Sequence, residues 1–408
     1  MIEFALIFAN PQGTQPLDLS TEVQTIRSKL RADQRTSFLK LHLVRDASPS
    51  AIEDALKVRP HLVHFGGHGY RTSLGVAGDN NQLHRMPKAA LSQWIDVLSK
   101  RTRIVVLNAC HSIEDAEPFL SAVECVIGMR AAISDPAALG FASSFYSALG
   151  DGRSVAEAFA SGKAGLVASG VKEADMPVLK PREGIDAADI RLFRPIKTVS
   201  VSADCSTDRD LAIELQKTLF PLSRLGVIEY ASVAAVPVGA SRTQYIEDQL
   251  QNAEVLLPLL SRDLTNDQDL LEAMGESMRR DKQLVIAPLM LRACDISTTP
   301  FAGLQVIPRT GIVDGKRIDR DAAWLTVTHE IHALIERLLT AWNQREHAEQ
   351  MAKAAASSPM PNERTEGTDP SQGQVIPKSA NATVSSSAAA TSLTTPSGKL
   401  PPDRPCAQ

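Results

Sequence analysis

Leu62-Val-His-Phe-Gly-Gly-His-Gly-Tyr70 and Arg103-Ile-Val-Val-Leu-Asn-Ala-Cys-His-Ser112 are the two stretches on which the reading of this chain turns. In each, a short apolar run gives way abruptly to small and polar residues. Residues 62–65 and 104–107 read as strands, short and rich in apolar residues as expected of strands covered on both faces of a parallel sheet. In open α/β sheets, reactive groups collect just beyond the carboxyl ends of the strands. His68 and Cys110 stand at those two places. A thiol is a good nucleophile as thiolate, and a neighbouring imidazole is the usual means of making one. Gly66, Gly67 and Gly69 let the backbone turn sharply around His68 and leave room for a substrate. Alone, a strand-end cysteine is more often a small buried hydrophobe than a nucleophile, and a lone histidine is more often a structural hydrogen-bonding residue. Together, on separate strand ends at one predicted edge, they point to a site. His111 and His64 are the competing imidazoles. Consecutive side chains diverge, which separates His111 from Cys110, and His64 within its strand is expected to face the packed layers.

A length of 408 residues suffices for two ordinary domains and more. The hydrophobic fraction of 43% supports packed cores, and with aromatics at only 4% those cores must rest on Leu, Val, Ile and Ala. A net charge of -4 with no block rich in Lys or Arg argues against direct nucleic-acid binding. The five cysteines, at 110, 125, 205, 294 and 406, are odd in number and widely spaced. They form no CxxC pair, so neither a disulfide framework nor a metal site is suggested. The start, MIEFALIFANP, lacks a basic region and a small-residue cleavage site and reads as a first strand. No apolar stretch approaches the ~18–20 residues of a membrane span. A cytoplasmic protein is expected, where a reactive thiol stays reduced.

Strands at 4–8, 38–44, 62–65, 104–107 and 123–129 alternate with helical patterns, and a hairpin is expected around 75–83, turning at Gly78-Asp-Asn80. That order means a mostly parallel sheet wrapped by helices. Residues 171–196, with Pro177, Pro181 and Pro195, read as a linker. A second α/β pattern occupies 197–342 and closes with a helix near 323–341. From 343 the chain becomes rich in Ser, Thr, Pro and Ala, and 343–408 is expected to be a disordered tail, because such a segment buries too little apolar surface to offset its ordering entropy. The fold class is therefore α/β, with two three-layer α/β domains.

The paired motifs HFGGHGY and VVLNACHS resemble the signature of CHAT domains, which belong to the caspase-like (clan CD) cysteine peptidases. Ala5-Leu-Ile-Phe-Ala-Asn-Pro11, Val126-Ile-Gly-Met129, Ile133-Ser-Asp-Pro-Ala-Ala138, Phe141-Ala-Ser-Ser-Phe-Tyr146 and Gly152-Arg-Ser-Val-Ala-Glu-Ala-Phe159 extend the resemblance over 1–170. It implies a caspase-like sheet and an endopeptidase that acts on a protein substrate without a cofactor. Cys110 would attack the carbonyl, His68 would act as acid and base, and the N–H groups of Cys110 and of Gly67 or Gly69 would hold the oxyanion. Relatives that cut after Arg or Lys often place an acid two residues before the nucleophile. Asn108 stands there in this chain. Asp135 is an alternative source of that charge in a specificity pocket, or else simply an acid that suits a helix N-terminus.

Ala253-Glu-Val-Leu-Leu-Pro-Leu-Leu-Ser261, Leu271-Glu-Ala-Met274, Val285-Ile-Ala-Pro-Leu-Met-Leu-Arg292 and Pro300-Phe-Ala-Gly-Leu-Gln305 with Pro308 resemble the successive landmarks of bacterial TIR-like domains over about 196–340. This resemblance implies a flavodoxin-like fold, assembly into homo-oligomers, and NAD as a candidate substrate. Glu272 matches the acid of that chemistry, which would hold the ribose hydroxyls while the glycosidic bond breaks. A solvated helix glutamate is the other reading. Ser202-Ala203-Asp204 replaces the usual Ser-Tyr-Ser, and the loop near Gly239 lacks the tryptophan and acids common there, which leaves Tyr230 as the candidate aromatic floor. Three functions remain open: a peptidase effector of bacterial signalling or immunity with a TIR module for assembly, a TIR-dependent NAD hydrolase regulated by the first half, and a non-catalytic scaffold. No sensor repeat or GxxxxGK[ST] loop is visible, so a separate sensor protein is the expected trigger. No membrane partner is expected.

Overall fold

The computed structural model describes residues 1–357 apart from 36, 115, 235, 237, 310 and 317. The expected tail beyond 357 lies outside the described residues.

Apolar runs near the amino terminus form the centre of a first sheet. The elements are β1 (Ile2–Ala9), α1 (Leu19–Lys29), β2 (Leu39–Val44), α2 (Pro49–Lys57), β3 (Leu62–Gly67), β4 (Ser73–Ala77), β5 (Leu83–Pro87), α3 (Lys88–Leu98) and β6 (Ile104–Asn108). They continue with α4 (Glu117–Leu120), β7 (Cys125–Met129), α5 (Asp135–Gly150), α6 (Val155–Ala168) and β8 (Pro177–Pro181). The strand order is β2-β1-β3-β6-β7-β8. The first five strands are parallel, and β8 runs antiparallel to β7. β4 and β5 form the expected hairpin beside the sheet. One face packs on α1, α5 and α6 through Ile26, Phe141, Phe145 and Leu166. The other packs on α2, α3 and α4 through Ile52, Leu91, Ile95 and Phe119. Helix starts follow local chemistry: the Asp18 carboxylate accepts from the Thr21 N–H, and Ser154 with Glu157 forms a reciprocal capping box on α6.

The second unit contains β9 (Ile196–Val201), α7 (Ser206–Arg224), β10 (Ile228–Ser232), α8 (Arg242–Gln251), β11 (Val255–Leu260), α9 (Arg262–Asn266), α10 (Gln268–Arg280), β12 (Val285–Ile286), β13 (Leu289–Met290) and α11 (Arg320–Ser357). Its parallel sheet has the order β10-β9-β11-β12, with β13 also on β11. Helices α7 and α11 cover one face, and α8, α9 and α10 cover the other. Both units are thus three-layer α/β, as expected.

Two boundaries differ from the sequence reading. The expected linker at 171–196 is partly structured: residues 177–181 add β8 to the first sheet, where an edge strand tolerates Pro177 and Pro181. The helix expected to end near 341 runs on to Ser357, through residues assigned to the tail. It continues because 343–357 is made of good helix formers and because Asn343, Gln350 and Ala354 are buried, Ala354 within the core of the first unit. Among the described residues no helix is long and apolar enough to cross a membrane.

The amino ends of both sheets meet around α11. Arg103 and Glu124, which precede β6 and β7, contact Glu346 and His347. Arg194, which precedes β9, pairs with Glu254 and lies over the Trp342 ring.

Candidate active site

The parallel register aligns Gly66 of β3 with Asn108 of β6. His68 and Cys110 each follow two residues later, so they leave the sheet at the same level. Sequence spacing alone could not fix this match. The two loops then touch through backbone. A side chain at Gly69 would collide with the Cys110 carbonyl oxygen and stand 2.9 Å from the Cys110 nitrogen. Only glycine permits that approach. A side chain at Gly67 would come within 2.7 Å of the Ala9 carbonyl oxygen.

His68 is buried and held at both ends. Its carbonyl accepts from the Gly75 N–H of the hairpin at 2.8 Å. Its Nε2 lies 2.8 Å from the Gln15 carbonyl oxygen. A carbonyl only accepts, so Nε2 carries the proton and Nδ1 remains as the nitrogen that exchanges one. Cys110 is buried, with 5% exposure, and forms no disulfide. The next residue, His111, has φ of +51°, a left-handed conformation that turns the chain back at once. Its ring reaches Glu114 at 3.2 Å.

Lys88 lies under both loops. It is buried, and its ammonium donates to the carbonyls of Arg71, His111 and Glu114. On the α1 side of the sheet, Asn108 Nδ2 donates to Glu22 of α1. His64, wholly buried, has Nε2 3.2 Å from the same carboxylate without the alignment of a hydrogen bond, and its Nδ1 is 2.9 Å from the Tyr146 hydroxyl. Burial, and then the Glu22 charge, raises the Tyr146 hydroxyl well above its ordinary pKa, so it stays protonated. Asp135 is half-buried at the start of α5, where its charge suits the helix dipole.

Gln15, Lys88 and Glu22 are site residues that sequence reasoning misses. Gln15 acts through its main chain and leaves no side-chain signal. Lys88 opens a helix, where a lysine reads as solvated. Glu22 alone leaves a cue, because it shares the buried stripe of α1 with Val23 and Ile26.

In the second unit, Ser202, Ala203, Asp204, Arg209, Val233 and Arg242 line a cleft beyond the ends of β9 and β10. Glu272 is exposed on α10 and outside that lining. Tyr230 is no open aromatic floor: it packs on the α7/α11 core with its hydroxyl 2.7 Å from Ser200, and burial pushes its pKa up to about 12. Among the described residues, Cys205, Asp208 and Asp263 are grouped closely enough to hold a cation, but Arg292 pairs with both carboxylates and supplies that charge already.

Comparison with known proteins agrees with the first unit. Residues 3–169 match the model of the CHAT domain. An uncharacterized protein, y4lF, of Sinorhizobium fredii (strain NBRC 101917 / NGR234) is 29% identical over 157 residues, which is 38% of this chain and 49% of that protein. The chain thus spans about half the length of the curated relative it matches. Similar solved structures include the Arg-specific cysteine proteinase gingipain R (RGPB), at 14% identity and TM-score 0.35, covering 50% of this chain and 52% of that one. A secreted C11 cysteine protease from Bacteroides thetaiotaomicron, in complex with an irreversible peptide inhibitor, is similar at 12% identity and TM-score 0.31, covering 39% and 56%.

Proposed function

We propose that residues 3–169, which carry a CHAT domain, act as a cysteine endopeptidase with Cys110 as nucleophile and His68 as acid and base. His68 Nδ1 takes the proton of the Cys110 thiol, and Sγ attacks the peptide carbonyl carbon. The tetrahedral intermediate collapses to a thioester as the C–N bond breaks, and the leaving amine takes its proton from His68 Nδ1. Water, deprotonated by the same nitrogen, then releases the acid and the free thiol. The N–H groups of Cys110 and of Gly67 or Gly69 are the donors this reading assigns to the oxyanion, and a side chain at Gly69 would stand 2.9 Å from the Cys110 nitrogen. The observation that carries this reading is the contact of the His68 and Cys110 loops through Gly69, with the Gln15 carbonyl fixing the tautomer of His68.

The second unit is read as a TIR-like assembly module. Its strand order, with the second strand first and the third and fourth following, supports a flavodoxin-like fold. A role in bacterial signalling or immunity, with a separate sensor as trigger, rests on the resemblance. Self-association of the intact chain, followed by light scattering across concentration, tests the assembly role, and a strict monomer counts against it.

The peptidase is tested with the intact protein and a peptide library read by mass spectrometry. Cys110→Ala and His68→Gln are each expected to lower cleavage by at least about a thousandfold. Their melting should stay within about 1 kcal/mol of wild type. Cleavage that survives Cys110→Ala would sink the reading.

A further inference from the structure

We propose that Glu22 is a positioning residue for the dyad: its carboxylate, carried on α1, ties the Cys110 strand through Asn108 and meets the His68 strand at His64, and its charge sets the pH at which Cys110 ionises. The inference rests on the peptidase reading of Cys110 and deepens it.

Glu22 is buried, with 6% exposure, on a helix whose other buried residues are apolar. A carboxylate in that place needs partners. It has the Asn108 amide of β6, and the His64 ring of β3 stands 3.2 Å away. Its second oxygen lies against Gly66, where a side chain would stand 2.9 Å from it and 2.6 Å from the Phe8 ring. The space beneath the two strand ends is therefore closed around this one group. The loop that leads into α1 also supplies the Gln15 carbonyl to His68. One segment, 15–22, thus touches the general acid and both strands of the site.

We take the Tyr146 hydroxyl as the donor to His64 Nδ1, so that the ring adds no charge and the Glu22 carboxylate is the charge tested here. Asn108 precedes Cys110 by two residues, a reach of at most roughly 7 Å of chain. Lys88, His111, Glu114 and Arg71 are linked to one another across the loops that follow His68 and Cys110. At roughly 10 Å and an effective dielectric of about 20, a unit charge moves a thiol by about one pH unit. The direction is upward, because a carboxylate disfavours a nearby thiolate.

The test needs no known substrate. The intact protein is alkylated with iodoacetamide across pH, and each cysteine is followed by mass spectrometry. In Glu22→Gln, the midpoint for Cys110 should fall by about one pH unit. In Glu22→Asp, which keeps the charge and shortens the reach to Asn108, the midpoint should stay near wild type while peptide turnover falls. A Cys110 midpoint unchanged in Glu22→Gln overturns the inference. A Cys110 that reacts like an ordinary thiol in wild type and in His68→Gln alike overturns the peptidase reading instead. Should Glu22→Gln lose its fold, Glu22→Asp decides: a midpoint displaced as far as one unit shows that charge at this position does not set it.

Discussion

The ammonium of Lys88, at the first position of α3, has three protons and meets three carbonyl oxygens at 2.6, 2.9 and 2.6 Å. Those carbonyls belong to Arg71, on the loop after His68, and to His111 and Glu114, on the loop after Cys110. One side chain therefore cross-links the two halves of the site without touching the reaction. The chain between Cys110 and Glu114 needs such a tie, because His111 is held in a left-handed conformation that a non-glycine residue adopts at a cost of about 1 kcal/mol or more. Replacing the lysine leaves three carbonyls short of a donor in a buried place. Lys88→Met is expected to cost about 2–4 kcal/mol in urea unfolding and to reduce cleavage together with Cys110 alkylation. Lys88→Arg should not rescue it, since a planar guanidinium cannot converge on three acceptors arranged around one nitrogen. Wild-type stability in Lys88→Met would show that the loops hold each other without it.

The elements that carry the dyad are legible in the amino-acid sequence for a physical reason. β3 and β6 are buried on both faces, so their sequences are mostly apolar up to Phe65 and Leu107 and change sharply just beyond. The longer helices of the first unit announce themselves by apolar residues on one face, and α1, α2 and α6 carry side-chain caps, whereas the short α4 leaves no such signal. The hairpin is legible from Gly78-Asp-Asn80, and Asn80 and Asn81 indeed adopt the left-handed conformation. What sequence does not carry is contact between elements distant along the chain: the Gly66–Asn108 register, the Gln15 carbonyl on His68, and Glu22 on Asn108. The end of α11 escapes for a related reason, because its Ala-rich composition resembles a tail until a partner surface is supplied. Gly69 belongs to this scale, since it sets the distance between two strand ends. Gly69→Ala would force the His68 loop away from the Cys110 backbone. Cleavage should fall at least about a hundredfold, as expected when reacting groups are displaced by about 1 Å. The sheet itself should persist by circular dichroism, whereas retained cleavage would mean that the loops do not need this approach.

Across the whole molecule, His68 and Cys110 lie beyond the carboxyl ends of the first sheet, and its amino ends are closed by a helix from the second unit. Arg103 is wholly buried just before β6, with Nε and Nη2 on Glu124 at 2.8 and 2.9 Å and Nη1 on Glu346 at 2.8 Å. Asn343 also accepts from it at 3.3 Å, and His347 completes the cluster by facing Glu124 at 2.6 Å and the Lys100 carbonyl at 3.0 Å. A buried guanidinium survives only while its charge is matched and its protons are satisfied. Residues 343–357 therefore belong energetically to the first unit, although they follow the core of the second. Truncation after Trp342 removes Asn343, Glu346 and His347 from Arg103 and Glu124, and it uncovers the surface buried by Ala354. The expected loss is about 3–5 kcal/mol, taken from the first unit. Cys125 reports it. That thiol is wholly buried at the start of β7, next to Glu124, and burial pushes its pKa far above the ordinary value. It should stay unlabelled by iodoacetamide in the intact chain at neutral pH and become labelled in the truncated chain through transient opening. Equal protection in both chains would show that the amino edge of the sheet stands without the helix.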